Sequence, residues 1–168
     1  GIFDTLPARY AGIAVENSSG ALIVPGMTDL HVHAPQYAFR GLGMDMELLD
    51  WLRTYTFPEE SCYGDMAYAE KAYGVFVDDL KHSTATRACI FATIHPDTTL
   101  LLMRMLEKTG LVTKVGKFNM DANSPDDYVE TTADSLAATV AWIRQSLSAF
   151  RYVSPILTPR FVPSCSAA

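Results

Sequence analysis

The sequence predicts an α/β domain built on a parallel sheet, and three observations carry that expectation. Short apolar runs suited to buried strands recur along the chain. Segments with helical spacing of apolar residues alternate with them, the pattern of right-handed crossovers between parallel strands. The chain has 168 residues, 49% apolar and 19% charged, enough for one well-cored domain and too little for two ordinary ones.

The elements follow in order. The stretch 1–20 carries Pro7, Gly12, Gly20 and the polar cluster Glu16 to Ser19, so it reads as loops with at most one short strand. Ala21 to Val24 reads as a brief apolar strand stopped by Pro25-Gly26, and Met27 to His33 as the next. Pro35 to Met46 is a glycine-dotted loop, and Glu47 to Tyr55 a short helix. Asp65 to Lys81 is a longer helix, with Ala69, Tyr73, Phe76 and Leu80 spaced to share one face. Thr86 to Thr93 suits a strand covered on both faces. Pro96 opens a helix that runs to Lys108 and is stopped by Gly110, after which Leu111 to Phe118 forms another strand. Ser124 caps the next helix, with Pro125, Asp126 and Asp127 in its first turn. Val129, Ala133, Leu136, Val140, Ile143, Leu147 and Phe150 predict its buried stripe, and Tyr152 to Thr158 is the last strand. There is no internal repeat and no low-complexity segment.

Composition excludes several function classes. The longest apolar stretches fall short of a membrane span, and no charged segment precedes an apolar one at the start as in a secretory signal. A start at Gly1 rather than methionine implies an upstream portion cut away. The formal charge of −6 argues against a nucleic-acid partner. Three cysteines, Cys62, Cys89 and Cys165, form no CxxC pair and fit a reducing cytoplasm as simple packing thiols.

The sharpest chemical signal is Asp29-Leu30-His31-Val32-His33. Residues two apart on a strand point to one side, so both imidazoles face a common space and suit a zinc or iron ion. Such a pair also occurs as polar core. His82 at a helix end suits the helix dipole, whereas His95, just past a strand, reads either as structural or as facing a site.

The run Pro25-Gly26-Met27-Thr28-Asp29-Leu30-His31-Val32-His33 is similar to the first-strand signature of the amidohydrolases. Ala34-Pro35-Gln36, the run Leu49 to Pro58, Phe91 to His95, Val115-Gly116-Lys117 with Met120-Asp121, and Thr158 to Phe161 with Ser164-Cys165-Ser166 resemble guanine deaminases in the same order. The resemblance implies the front half of a (β/α)8 TIM-type barrel over 25–168, with 1–24 a remnant of a small β-sandwich. It implies a zinc-dependent hydrolase converting guanine and water to xanthine and ammonia. Residue by residue, it places His31 and His33 as metal ligands and Gln36, Arg160 and Phe161 against guanine. The chemistry suits those types: a guanidinium is a planar fork of donors facing the O6 and N7 acceptors of guanine, and an amide both donates and accepts. Taken alone, Arg160 reads as a solvated surface arginine, and Trp51, Tyr55 and Phe57 read as core or as lining the substrate mouth. The family's further metal-binding histidine, its proton-shuttling glutamate and its late aspartate match no position here, so no catalytic residue is assigned. The chain by itself is then expected to be inactive, and to form a homo-oligomer or join a chain that completes the barrel. Two other readings stand beside this one: a purine or pyrimidine aminohydrolase of the same superfamily, and a non-catalytic half-barrel acting in assembly.

Overall fold

The computed structural model describes residues 7–16 and 18–167. Four parallel strands form its main sheet in the order β1-β2-β3-β5: β1 Met27–His33, β2 Ala85–Phe91, β3 Val112–Gly116 and β5 Val153–Pro155. A second parallel pair, β4 Phe118–Asn119 with β6 Thr158–Pro159, carries the last two strand paths onward past a break. The helices are α1 Leu48–Trp51, a π-helical turn Leu52–Thr56, α2 Phe57–Cys62, α3 Met66–Lys81, α4 Pro96–Glu107 and α5 Thr132–Ser146. The expected parallel α/β architecture is present.

Register decides which side chains meet. Val32 pairs with Ile90, and Ile90 with Val115, placing all three on the helix side of the sheet. There they join Tyr73 and Phe76 of α3, Leu102 and Leu106 of α4, and Trp142 of α5 in one core cluster. The opposite face, where Arg87 and Lys114 stand exposed, is the one left open.

Asp65 caps α3 by accepting from the amides of Ala67 and Tyr68, and the predicted stripe Ala69, Tyr73, Phe76, Leu80 is buried. Pro96 opens α4 as expected, and Gly110, at φ +76°, follows it. The Glu107 carboxylate accepts the backbone amides of Arg151, Tyr152 and Val153, fixing where β5 begins.

Four expectations need correction. Ala21 to Val24 forms no strand: Leu22 and Ile23 are 87% and 85% exposed with no sheet partner. The described part of 1–24 holds one short 3-10 turn, Ala8–Tyr10; Gly1–Leu6 and Asn17 lie outside the described residues. The helix placed at 47–55 runs on to Cys62, with Pro58 falling just after the π-helical turn Leu52–Thr56. Its middle turn is π-helical, a local expansion often found beside functional sites.

The last helix starts not at Ser124 but at Thr132. Thr131 is its cap, accepting from the Asp134 amide and donating to the Asp134 carboxylate at 2.7 Å. Its buried stripe is Ser135, Thr139, Trp142 and Ser146, while Leu136, Val140 and Leu147 are exposed. The reason is a polar contact: the Asn119 amide donates to Ser135 Oγ at 2.8 Å and Thr139 Oγ1 at 2.7 Å, orienting the hydroxyl face inward.

Candidate active site

The end of β1 sets the site. The register of β1 against β2 slips between Asp29 and Val32, a bulge of the kind that re-aims side chains, and Asp29 Oδ1 accepts the His31 amide at 3.0 Å. His31 and His33 both lie on the open face, with their Nε2 atoms 3.0 Å apart. Phe91 from β2 supports both rings, at 4.6 Å from His31 and stacked at 4.7 Å on His33. Burial, then the charge of Arg160, then His31, pushes the His33 imidazole down to about 3. It is therefore neutral at physiological pH, the form a metal requires.

A 3-10 turn, Ala34–Phe39, follows β1 at once and brings Gln36 back over the pair. Gln36 Nε2 lies 3.0 Å from His33 Nδ1 and donates to Glu60 Oε1 at 3.1 Å. Glu60, fully buried on α2, accepts both terminal nitrogens of Arg160, which follows β6. The Arg160 guanidinium also lies over two rings, 4.4 Å from the centre of Phe118 and 5.2 Å from that of Phe57. His31, His33, Gln36, Glu60 and Arg160 thus form one connected set drawn from β1, the turn after it, α2 and the segment after β6.

The solvated-surface reading of Arg160 fails, since its side chain is 4% exposed. Burial pushes the Glu60 carboxyl above its ordinary range, against the pull of Arg160, Gln36 and the nearby Tyr128. The guanidinium therefore also compensates a buried acid. Glu60 escaped the sequence reading, although a signal existed. Leu52, Thr56, Glu60 and Tyr63 step by four, four and three along a buried stripe, and an acid on such a stripe demands a partner.

Beside the histidines lies a cleft of about 420 Å³ lined by His31, His33, Gln36, Phe39, Arg40 and Trp51. Phe161 does not line it; it borders a neighbouring cleft of about 240 Å³ with Leu52, Phe57 and Asn123. Phe57 is core, Trp51 packs on Phe39 and lines the first cleft, and Tyr55 stacks on Phe39. Gly43, at φ +67°, lets the loop pass over Trp51 and Tyr55, where a Cβ would meet each ring at 2.8 Å.

His82 is structural, its Nδ1 lying 2.7 Å from the Asp78 carbonyl at the end of α3. His95 caps α4 outside the cleft that the histidine pair lines, its Nε2 buried without a hydrogen-bond partner and its ring 5.9 Å from Tyr128. Asp121 ties the chain end, accepting from the Ser166 amide and hydroxyl at 2.6 Å each.

Two imidazole nitrogens converging on one point fit a zinc ion, which takes nitrogen ligands at about 2.0–2.1 Å. Among the described residues no group of three or more His, Cys, Asp or Glu is arranged to hold a metal. The pair fits part of a coordination sphere.

No protein-family model matches the chain. It is 42% identical over 154 residues to a guanine deaminase of Dictyostelium discoideum, covering 91% of this chain and 34% of that protein. A human guanine deaminase is 41% identical over 153 residues, with 90% of this chain covered. Among solved structures, a guanine deaminase of C. acetobutylicum with guanine bound in its active site superposes with a TM-score of 0.92. It is 47% identical, with 96% of this chain and 39% of that one covered. The chain spans about a third of the length of the curated relatives it matches. Over nearly its whole extent it is similar to guanine deaminases, and it covers about a third of their length.

Proposed function

We propose that this chain is the front part of a zinc-dependent guanine deaminase, inactive until the remaining elements of the site are supplied. In this reading residues 25–168 are the first half of a (β/α)8 barrel and 1–24 the remnant of a small β-sandwich. The observation that carries it is the meeting of His31 and His33, with Nε2 atoms 3.0 Å apart, with Gln36 and Arg160 in one hydrogen-bonded set. The bound guanine of the C. acetobutylicum relative supports guanine as the ligand.

His31 and His33 hold the zinc, which when bound makes a nucleophile available at neutral pH by acidifying water. Gln36, Arg160 and Phe161 hold and orient the base. With both terminal nitrogens of Arg160 engaged by Glu60, its Nε edge and its remaining Nη protons are what it offers to a purine acceptor. Phe118 and Phe57 keep water from the guanidinium, which strengthens such a bond. The acid that moves protons to the leaving amine comes from outside the chain; Glu60 is committed to its ion pair.

The partners are guanine and either a second copy or a chain completing the barrel, with neither nucleic acid nor membrane involved. Unpaired strand edges at β1 and β5 and the exposed Leu30, Leu136 and Leu147 support that association. No helix among the described residues is long and apolar enough to cross a membrane. The cytoplasm is the proposed location, in keeping with three free cysteines.

The test joins this chain to the part of the Dictyostelium relative that it lacks and measures ammonia released from guanine. Release that His31→Ala abolishes is expected. A folded, zinc-loaded hybrid that leaves guanine untouched would contradict the proposal.

A further inference from the structure

Glu60 stands between the two groups that are to recognise the base. Its carboxylate has no solvent exposure and is reached by two side chains from distant parts of the chain: Gln36 from the turn after β1 and Arg160 from beyond β6. A buried acid is costly, and a hydrophobic residue at this place would spare the protein that cost. What the acid supplies instead is direction. An end-on pair with both terminal nitrogens fixes the plane of a guanidinium, and Phe118 and Phe57 hold that plane in place. The same carboxylate accepts from Gln36, and since it can only accept, it dictates that the amide turns its nitrogen inward.

We infer that Glu60 is a positioning residue for guanine recognition, fixing Arg160 and Gln36 together beside His33. The inference rests on the guanine reading given above. It assigns Glu60 no contact with the base and no proton transfer. Its work is to remove the freedom that a long arginine and a glutamine would otherwise have to lose on binding.

Lys117 with Glu130 offers an internal control. That pair is also buried, with Lys117 Nζ at 2.8 Å from each carboxylate oxygen, but neither residue is hydrogen-bonded to Gln36 or Arg160. Glu60→Gln and Glu130→Gln each remove one buried charge while keeping side-chain shape, so both are expected to lower the thermal midpoint. Only the first is expected to affect the ligand.

The experiment measures guanine binding to the 168-residue chain by saturation-transfer NMR titration, together with the guanidinium resonances of Arg160. Glu60→Gln is expected to weaken binding about tenfold or more, the loss that follows from misplacing one charged hydrogen bond. It is also expected to collapse the separate Arg160 Nη signals that hindered rotation produces. Glu60→Asp, which keeps the charge on a shorter arm, should recover part of the affinity, and it is the variant read if Glu60→Gln fails to fold. Glu130→Gln should leave affinity unchanged. If Arg160→Ala abolishes binding while Glu60→Gln and Glu60→Asp bind as the unsubstituted chain does, Glu60 is structural and the inference is overturned. If the unsubstituted chain binds no guanine, or Arg160→Ala binds it equally well, the guanine reading itself falls.

Discussion

On one face of the four-stranded sheet, Ala88, Ile90, Thr113, Val115 and Val153 are sealed beneath the helices. On the other, the same strands carry Arg87, Cys89, Phe91, Lys114 and the two histidines, and none of these is fully buried. The covered face stabilises the fold, each fully buried large side chain contributing about 1.5–3 kcal/mol by leaving water. The open face contributes little to stability, which leaves its residue types free for chemistry. The division breaks at the ends of the strands. There Glu60 and Arg160 are as buried as the core and also belong to the candidate site. On the proposed function, chemistry and stability are separable over most of the sheet and inseparable at that pair.

Arg160→Ala breaks the division most severely. It leaves Glu60 buried without its cation, at a cost of about 3–5 kcal/mol. The pH dependence follows from the raised Glu60 carboxyl. The penalty is full where the orphaned acid must be ionised and shrinks as pH falls through its raised value, because protonation removes the buried charge. Denaturant melts of both proteins at neutral and mildly acid pH check this. A penalty independent of pH would mean that the charge on Glu60 is not its source.

Within the covered face, Leu102→Ala removes a side chain with no exposure from the middle of α4 and should cost about 2–5 kcal/mol. Its effect should not change with pH. Urea unfolding midpoints measure it, and a loss below about 1 kcal/mol would mean that the helix layer is loosely packed.

On the open face, Lys114→Ala deletes an exposed side chain that donates to Ser154 Oγ at 3.1 Å. Stability should move by no more than about 0.5 kcal/mol. A larger loss by the same urea assay would show that the open face is packed in solution, against a second copy of the chain.

The sequence was most readable where apolar spacing matched the buried face. In α3 and α4 the spacing and the capping residues located both helices, since hydrophobic burial alone determines their inward side. It misled where polar atoms are buried. Ser124-Pro125-Asp126-Asp127 has the composition of a helix start, yet Tyr128 must fill the core between Phe57 and Met120, and Glu130 must reach Lys117. Those long-range demands hold the segment irregular until Thr131, whose partner Asp134 was the readable sign. The hydroxyl-lined face of α5 is invisible to any scale that counts only apolar residues. In the site, the histidine pair was readable from strand alternation, and Gln36 and Arg160 only through family motifs. Nothing local announces that residues 100 positions apart, Glu60 and Arg160, will share a buried ion pair.

The central proposal is that this chain carries a metal-binding histidine pair and residues for holding guanine, but not a complete catalytic site. Its most direct test is ammonia release from guanine by the purified 168-residue chain supplied with zinc. The account predicts release no greater than in an enzyme-free control. Turnover that copurifies with the chain and vanishes in His31→Ala would contradict it.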